Sequence, residues 1–117
     1  MPIPATGSPL TLDVESQGDM VIVRCHGQLI SGVTDVLYKP VSKLIPCYKR
    51  VVLDLADVAY MDSMGLGTLV RLYVHAKSNG CELVLTHLGK RIRQLLGVTN
   101  LLSVFAVMGE QGIKIGF

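Results

Sequence analysis

The chain has 117 residues, half of them hydrophobic and 17% charged, with a mean hydropathy of +0.47. That length is one domain, and that composition excludes an intrinsically disordered chain. A net charge of +2 is too small for the dense basic face of a general nucleic-acid binder, and no apolar run reaches the roughly 18 residues of a membrane span.

Residues 1–9 carry three prolines, a glycine and a serine and read as a flexible N-terminal arm. They hold no basic start followed by an apolar stretch, so they do not read as a signal peptide, and the expected location is cytoplasmic. Residues 10–117 read as a single domain. Leu10, Leu12 and Val14 alternate with Thr11, Asp13 and Glu15, the period-2 pattern of a half-buried strand. Residues 16–19 carry turn chemistry. Residues 20–26 are rich in β-branched side chains and complete a hairpin, which Gly27 is expected to end.

Val33, Val36, Leu37, Val41, Leu44 and Ile45 fit one helical stripe over residues 31–44. Pro40 interrupts it, which leaves two outcomes open: a kinked helix, or a short turn followed by a helix with Pro40 in its first turn. Residues 51–55 (VVLDL) read as a short strand buried on both faces. Residues 64–78 form the best helix, with Leu66, Leu69, Val70, Tyr73 and Ala76 on one face. Met64, Thr68, Arg71, His75 and Ser78 lie on or near the other. Asn79 and Gly80 close it. Residues 82–86 read as a strand, 90–96 as a short helix, and 104–108 as a last strand. Gly109 to Phe117 is glycine-rich and adds a short strand or frays. The order β-β-α-β-α-β-α-β predicts an α/β fold: a mixed sheet with an N-terminal hairpin, parallel later strands and helices packed on it.

The charge is uneven: residues 1–63 hold five basic and seven acidic groups, a balance of −2, and residues 64–117 hold six and two, a balance of +4. Such a dipole orients a partner without identifying one. Cys25, Cys47 and Cys81 form no CxxC motif, and His26, His75 and His87 form no HExxH pair, so no metal site is expected. Cys25 and His26 are neighbours on a strand and point to opposite faces.

The most informative stretch is Tyr60-Met61-Asp62-Ser63-Met64-Gly65-Leu66-Gly67, which follows a buried strand and opens the best helix. Ser63 falls at or next to the helix N-cap, where backbone amides lack helical partners and the helix dipole is positive. Gly65 and Gly67 leave the first turn unshielded. A glycine inside a helix costs about 0.5–1 kcal/mol relative to alanine, which close approach of another molecule would explain. The plain alternative is that Ser63 is only a cap and the glycines serve helix–strand packing. A nucleophile elbow would need glycine where Met61 stands, and a dinucleotide fingerprint would need glycine where Val70 stands. A phosphate-loop Gly-Lys-Ser or Gly-Lys-Thr is absent. Asp54, Asp57 and Asp62 imply no basic partner, so no catalytic residues and no cofactor are expected.

With these residues in view, the sequence resembles the STAS domain, and within it the bacterial anti-sigma factor antagonists, over about residues 10–108. The resemblance is strongest in VVLDLADVAYMDSMGLGTLV, residues 51–70, and is supported by KRIRQLLGVTNLL, residues 90–102. It implies that Ser63 is the acceptor of a phosphoryl group from an anti-sigma factor that is itself a serine kinase. The unmodified protein would bind that kinase and free a sigma factor, and a phosphatase would reset Ser63. Asp62 would be part of the docking surface, with Met64, Gly65, Gly67, Thr68, Arg71 and Ile30 around it. Two positions depart from the family: Ile30, where Gly-x-Leu-Asp is common and Gly27-Gln28-Leu29-Ile30 stands here, and Met64, commonly Ser or Thr. The tail also lacks the helix that many members carry. Two other readings stay open. One is a STAS scaffold without a phospho-switch, or a subunit of a lipid- or anion-transport complex. The other is a nucleotide or small-ligand sensor using the helix N-terminus.

Overall fold

The structure is a computed structural model and describes residues 9–90, 92–94, 106–108 and 114–115. Among the described residues its sheet has six strands in the order β1 to β6. Strands β1 (Leu10–Gln17) and β2 (Met20–Leu29) form the antiparallel hairpin. Helix α1 (Thr34–Leu44) and a 3₁₀ turn (Ile45–Cys47) lead to β3 (Arg50–Met61). Helix α2 (Ser63–Ser78) and β4 (Glu82–Thr86) follow, then β5 (Ala106–Met108) and β6 (Lys114–Ile115). Strands β2 to β5 are parallel, and β6 returns antiparallel to β5. The mixed sheet with its N-terminal hairpin agrees with the sequence reading. Of the 90–96 helix, residues 90 and 92–94 are described and helical, and the rest lies outside the described residues. So do residues 104–105 of the last predicted strand and residues 1–8 of the arm.

Side-chain alternation explains the layering. The register aligns Val21 with Val51 and Leu83, and Val23 with Leu53 and Leu85. All six point to one face and are buried. Helices α1 and α2 cover that face: Leu37 and Val41 from α1, and Leu66, Leu69, Leu72 and Ala76 from α2, join the same core, as does Ile92. Each fully buried leucine contributes roughly 1.5–3 kcal/mol. The other face carries a smaller apolar strip of Met20, Ile22, Val52 and Val84 flanked by charged residues.

Four expectations need correction. Gly27 does not end β2, which runs two residues further to Leu29. Gly27 sits inside the strand at φ +114, and a side chain there would overlap the Pro9 carbonyl. Helix α1 starts at Thr34 rather than residue 31; of the two outcomes left open for Pro40, the helix runs through it instead of starting at it, and the bond from residue 40 to the Val36 carbonyl is missing. Val36 is 37% exposed, outside the buried stripe. The third strand continues six residues beyond Leu55 to Met61.

That extension has a specific cause. Arg24 pairs with Asp54 and His26 with Asp57; Gly27 pairs with Val58 and Gln28 with Tyr60. Strand β3 therefore carries one extra residue at each of two steps, which makes two bulges. Burial along it shifts from a run covered on both faces, Val51 to Leu53, to period 3 at Leu55, Val58 and Met61. A sequence pattern of alternation cannot see such a strand.

Candidate functional site

The second bulge brings β3 to its end beside the end of β2, and the chain turns there into α2. Asp62 is the N-cap, in extended geometry, and its Oδ1 accepts the Gly65 amide at 3.0 Å. Its Oδ2 accepts the Ser31 amide at 2.9 Å. Its own amide donates to the Leu29 carbonyl at 3.3 Å, and its carbonyl accepts from Leu66 at 3.0 Å. The Ser31 amide first, then the Gly65 amide, holds the carboxyl below the usual aspartate range. Asp62 therefore bolts the loop after β2 to the start of α2. It is half-buried, so it also contributes to the surface.

Ser63 follows as the first helical residue rather than the cap itself. It is exposed, and its hydroxyl has no hydrogen-bond partner among the described residues. Its neighbours present apolar surface: Met64 is 56% exposed and Tyr60 40%. Ile30 is half-buried between Leu29 and Ser31, both of which bond to Asp62. The structure thus brings Ile30, Asp62, Ser63 and Met64 together. Gly67 is half-buried with open space where a side chain would go. Arg71 is exposed one turn further along α2, its guanidinium 4.1 Å above the Tyr38 ring of α1. A shallow groove lined by Tyr38, Val70, Arg71, Val74, His75 and Ser78 continues between the helices. There the His75 Nε2 and the Ser42 carbonyl lie 3.1 Å apart.

Two of the expected surface residues are interior. Thr68 is 2% exposed, and its hydroxyl donates to the Met64 carbonyl at 2.9 Å inside the helix. Gly65 is buried against β2: an added Cβ would overlap the Leu29 carbonyl and lie 2.9 Å from the Leu29 and Met61 Cγ atoms. Its role is close helix–strand packing, not an open first turn. Helical periodicity puts Thr68 on the face opposite Leu66 and Leu69, but the rotation of α2 with both Leu69 and Leu72 in the core turns Thr68 inward.

The helix end is also less vacant than its position suggests. The Asp62 carboxylate already receives the Gly65 amide, so an anion on Ser63 would stand beside a fixed carboxylate. The positive helix end still favours added negative charge at this point. The arrangement offers an exposed hydroxyl on a rigid stem, beside apolar side chains, where modification alters the surface without disturbing the core.

The family model of the STAS domain matches residues 11–112. The chain belongs to the STAS domain family. The STAS domain here is similar to the anti-sigma-B factor antagonist of Bacillus subtilis (strain 168), with 35% identity over 86 residues, 69% of this chain and 79% of the relative. It superposes on the Bacillus cell fate determinant SpoIIAA in its phosphorylated form with a TM-score of 0.68 and 15% identity, covering 86% and 94% of the two chains. A sulfate transporter family protein from Wolinella succinogenes gives a TM-score of 0.64 at 23% identity, covering 85% and 77%. Both structural likenesses establish a shared fold. No described helix of this STAS domain is long and apolar enough to cross a membrane.

One cluster on the other side of the sheet escaped sequence reading. His26 lies 2.8 Å from Asp13 and 2.8 Å from Asp57, and Asp54 lies 3.1 Å from His87. No spacing signal connects these residues; only strand register and the first β3 bulge do.

Proposed function

We propose that this STAS domain is a non-enzymatic, cytoplasmic anti-sigma factor antagonist switched at Ser63. In the unmodified state it binds an anti-sigma factor serine kinase, which frees a sigma factor for transcription. Phosphorylation of Ser63 ends that contact, and a phosphatase restores it. The observation that carries this reading is the exposed Ser63 hydroxyl at the first position of α2, which has no hydrogen-bond partner among the described residues. The name of the Bacillus subtilis relative supports it.

The switch follows from charge and packing. A phosphate adds about −1.5 to −2 charge at pH 7. On Ser63 that charge arrives beside the Asp62 carboxylate and among Ile30, Tyr60 and Met64. A partner packed on those side chains would have to desolvate it. A loss of about 3–4 kcal/mol weakens binding several-hundred-fold, which suffices for a switch without internal rearrangement. The transporter likeness does not discriminate, because one fold hosts many functions.

The test incubates the protein with an anti-sigma serine kinase from the same genome and ATP, followed by mass spectrometry and calorimetric binding. Phosphate on Ser63, tight binding by Ser63→Ala without release, and weaker binding by Ser63→Asp are expected. Equal affinity of wild type and both variants, with Ser63 unmodified, overturns the proposal.

A further inference from the structure

On the sheet face away from the helices, His26 of β2 stands between carboxylates from both neighbouring strands. Its Nε2 is 2.8 Å from Asp13 Oδ2 on β1, and its Nδ1 is 2.8 Å from Asp57 Oδ2 on β3. A neutral imidazole has one N–H and one acceptor nitrogen, whereas an ionised carboxylate only accepts. Two such contacts at hydrogen-bond distance are both satisfied only when the ring carries two protons. We propose that Asp13, His26 and Asp57 form a proton-operated fastener that ties side chains of three strands together when His26 is charged and loses one of its two ties when it is neutral.

The surroundings favour the charged form. The Asp57 contact first, with Asp13 adding to it, moves the His26 pKa above its ordinary value. Among the described residues, Arg24 is the nearby permanent cation on that face; it is held by Glu15 at 2.7 Å and lies 4.0 Å from Asp54, and Asp54 also meets His87. The acidic groups therefore outweigh Arg24 around the ring. The first bulge of β3 is what sets Asp57 opposite His26; without it Ala56 would occupy that place. Beyond this tie β2 ends at Leu29 and β3 at Met61, and just past those ends the Ser31 amide and the Asp62 carboxylate form the bond that fixes the start of α2. The fastener therefore sits at the root of the two segments that carry the candidate site, although it does not depend on what that site does.

The sign follows from linkage. A histidine whose folded pKa is raised contributes stability that is full below its unfolded value near 6.5 and is lost as pH rises through the folded value. The decisive experiment measures the His26 titration by ring ¹³C and ¹⁵N NMR, together with urea unfolding of the wild type and His26→Gln between pH 5.5 and 9. His26 is expected to titrate above the ordinary value and to fall back toward it in Asp13→Asn/Asp57→Asn. The folding equilibrium constant of wild type relative to His26→Gln is expected to fall about two- to fivefold across that range, the scale of exposed ion pairs. A titration at or below the ordinary value, or a ratio independent of pH, overturns the proposal. Should His26→Gln fail to fold, the double aspartate variant supplies the same comparison.

Discussion

The Asp62 carboxylate accepts the backbone amide of Ser31, 31 positions earlier in the chain, at 2.9 Å. Its other oxygen caps α2 through Gly65. One side chain thus joins the end of β2 to the helix that carries Ser63. Asparagine offers one acceptor oxygen where two amides approach. Asp62→Asn is expected to lower the melting temperature by several degrees. The lowered pKa of Asp62 adds a pH signature: its stabilisation is present above the ordinary value near 3.8 and is lost as pH falls through the folded value. Thermal unfolding from pH 2 to 6 should show a steeper acid loss in the wild type than in the variant.

Gly65 and Gly67 lie two residues apart in the same helix and should respond oppositely to alanine. At Gly65 the new methyl meets the Leu29 carbonyl and two Cγ atoms at 2.9 Å. Overpacking of this kind costs roughly 1–3 kcal/mol. At Gly67 it meets open space, and the helix gains about 0.5–1 kcal/mol from the better propensity of alanine. Urea denaturation midpoints of the two variants check the contrast. Because Gly67→Ala keeps the fold, any loss of partner binding in it would assign that position to recognition.

Charge on Ser63 should leave stability alone. The residue is exposed, and an acidic group in the first turn of a helix is favoured by the dipole. Ser63→Asp is expected to unfold within about 0.5 kcal/mol of the wild type by urea titration, the range of ordinary surface changes. A weaker partner affinity in that variant would then report the surface itself.

The three thiols should differ in reactivity. Cys47 is exposed, while Cys25 and Cys81 are buried. Burial pushes the Cys25 thiol up to about 12 and raises that of Cys81, so both lack thiolate at neutral pH. An aromatic disulfide reagent at pH 8 should titrate one thiol quickly in the native protein and three after denaturation. Cys47→Ser should remove the fast phase.

Much of the domain could be read from local pattern. The hairpin, the buried VVLDL strand, the α2 helix and its Asn79-Gly80 stop all depend on side-chain periodicity and turn chemistry within a few residues. The position of Ser63 beside the helix start is of the same kind, because caps are local. So is the STAS motif itself, which is contiguous in the chain.

The rest was decided by tertiary packing. Thr68 and Gly65 are interior because α2 is rotated by Leu69 and Leu72 in the core and its first turn rests on the Leu29 carbonyl. The second half of β3 is a strand because two bulges reset its register against β2. That reset turns Asp57 toward His26 and Met61 toward the core. Pairing register is a relation between segments about 30 residues apart, and the side-chain pattern of either strand alone does not encode it.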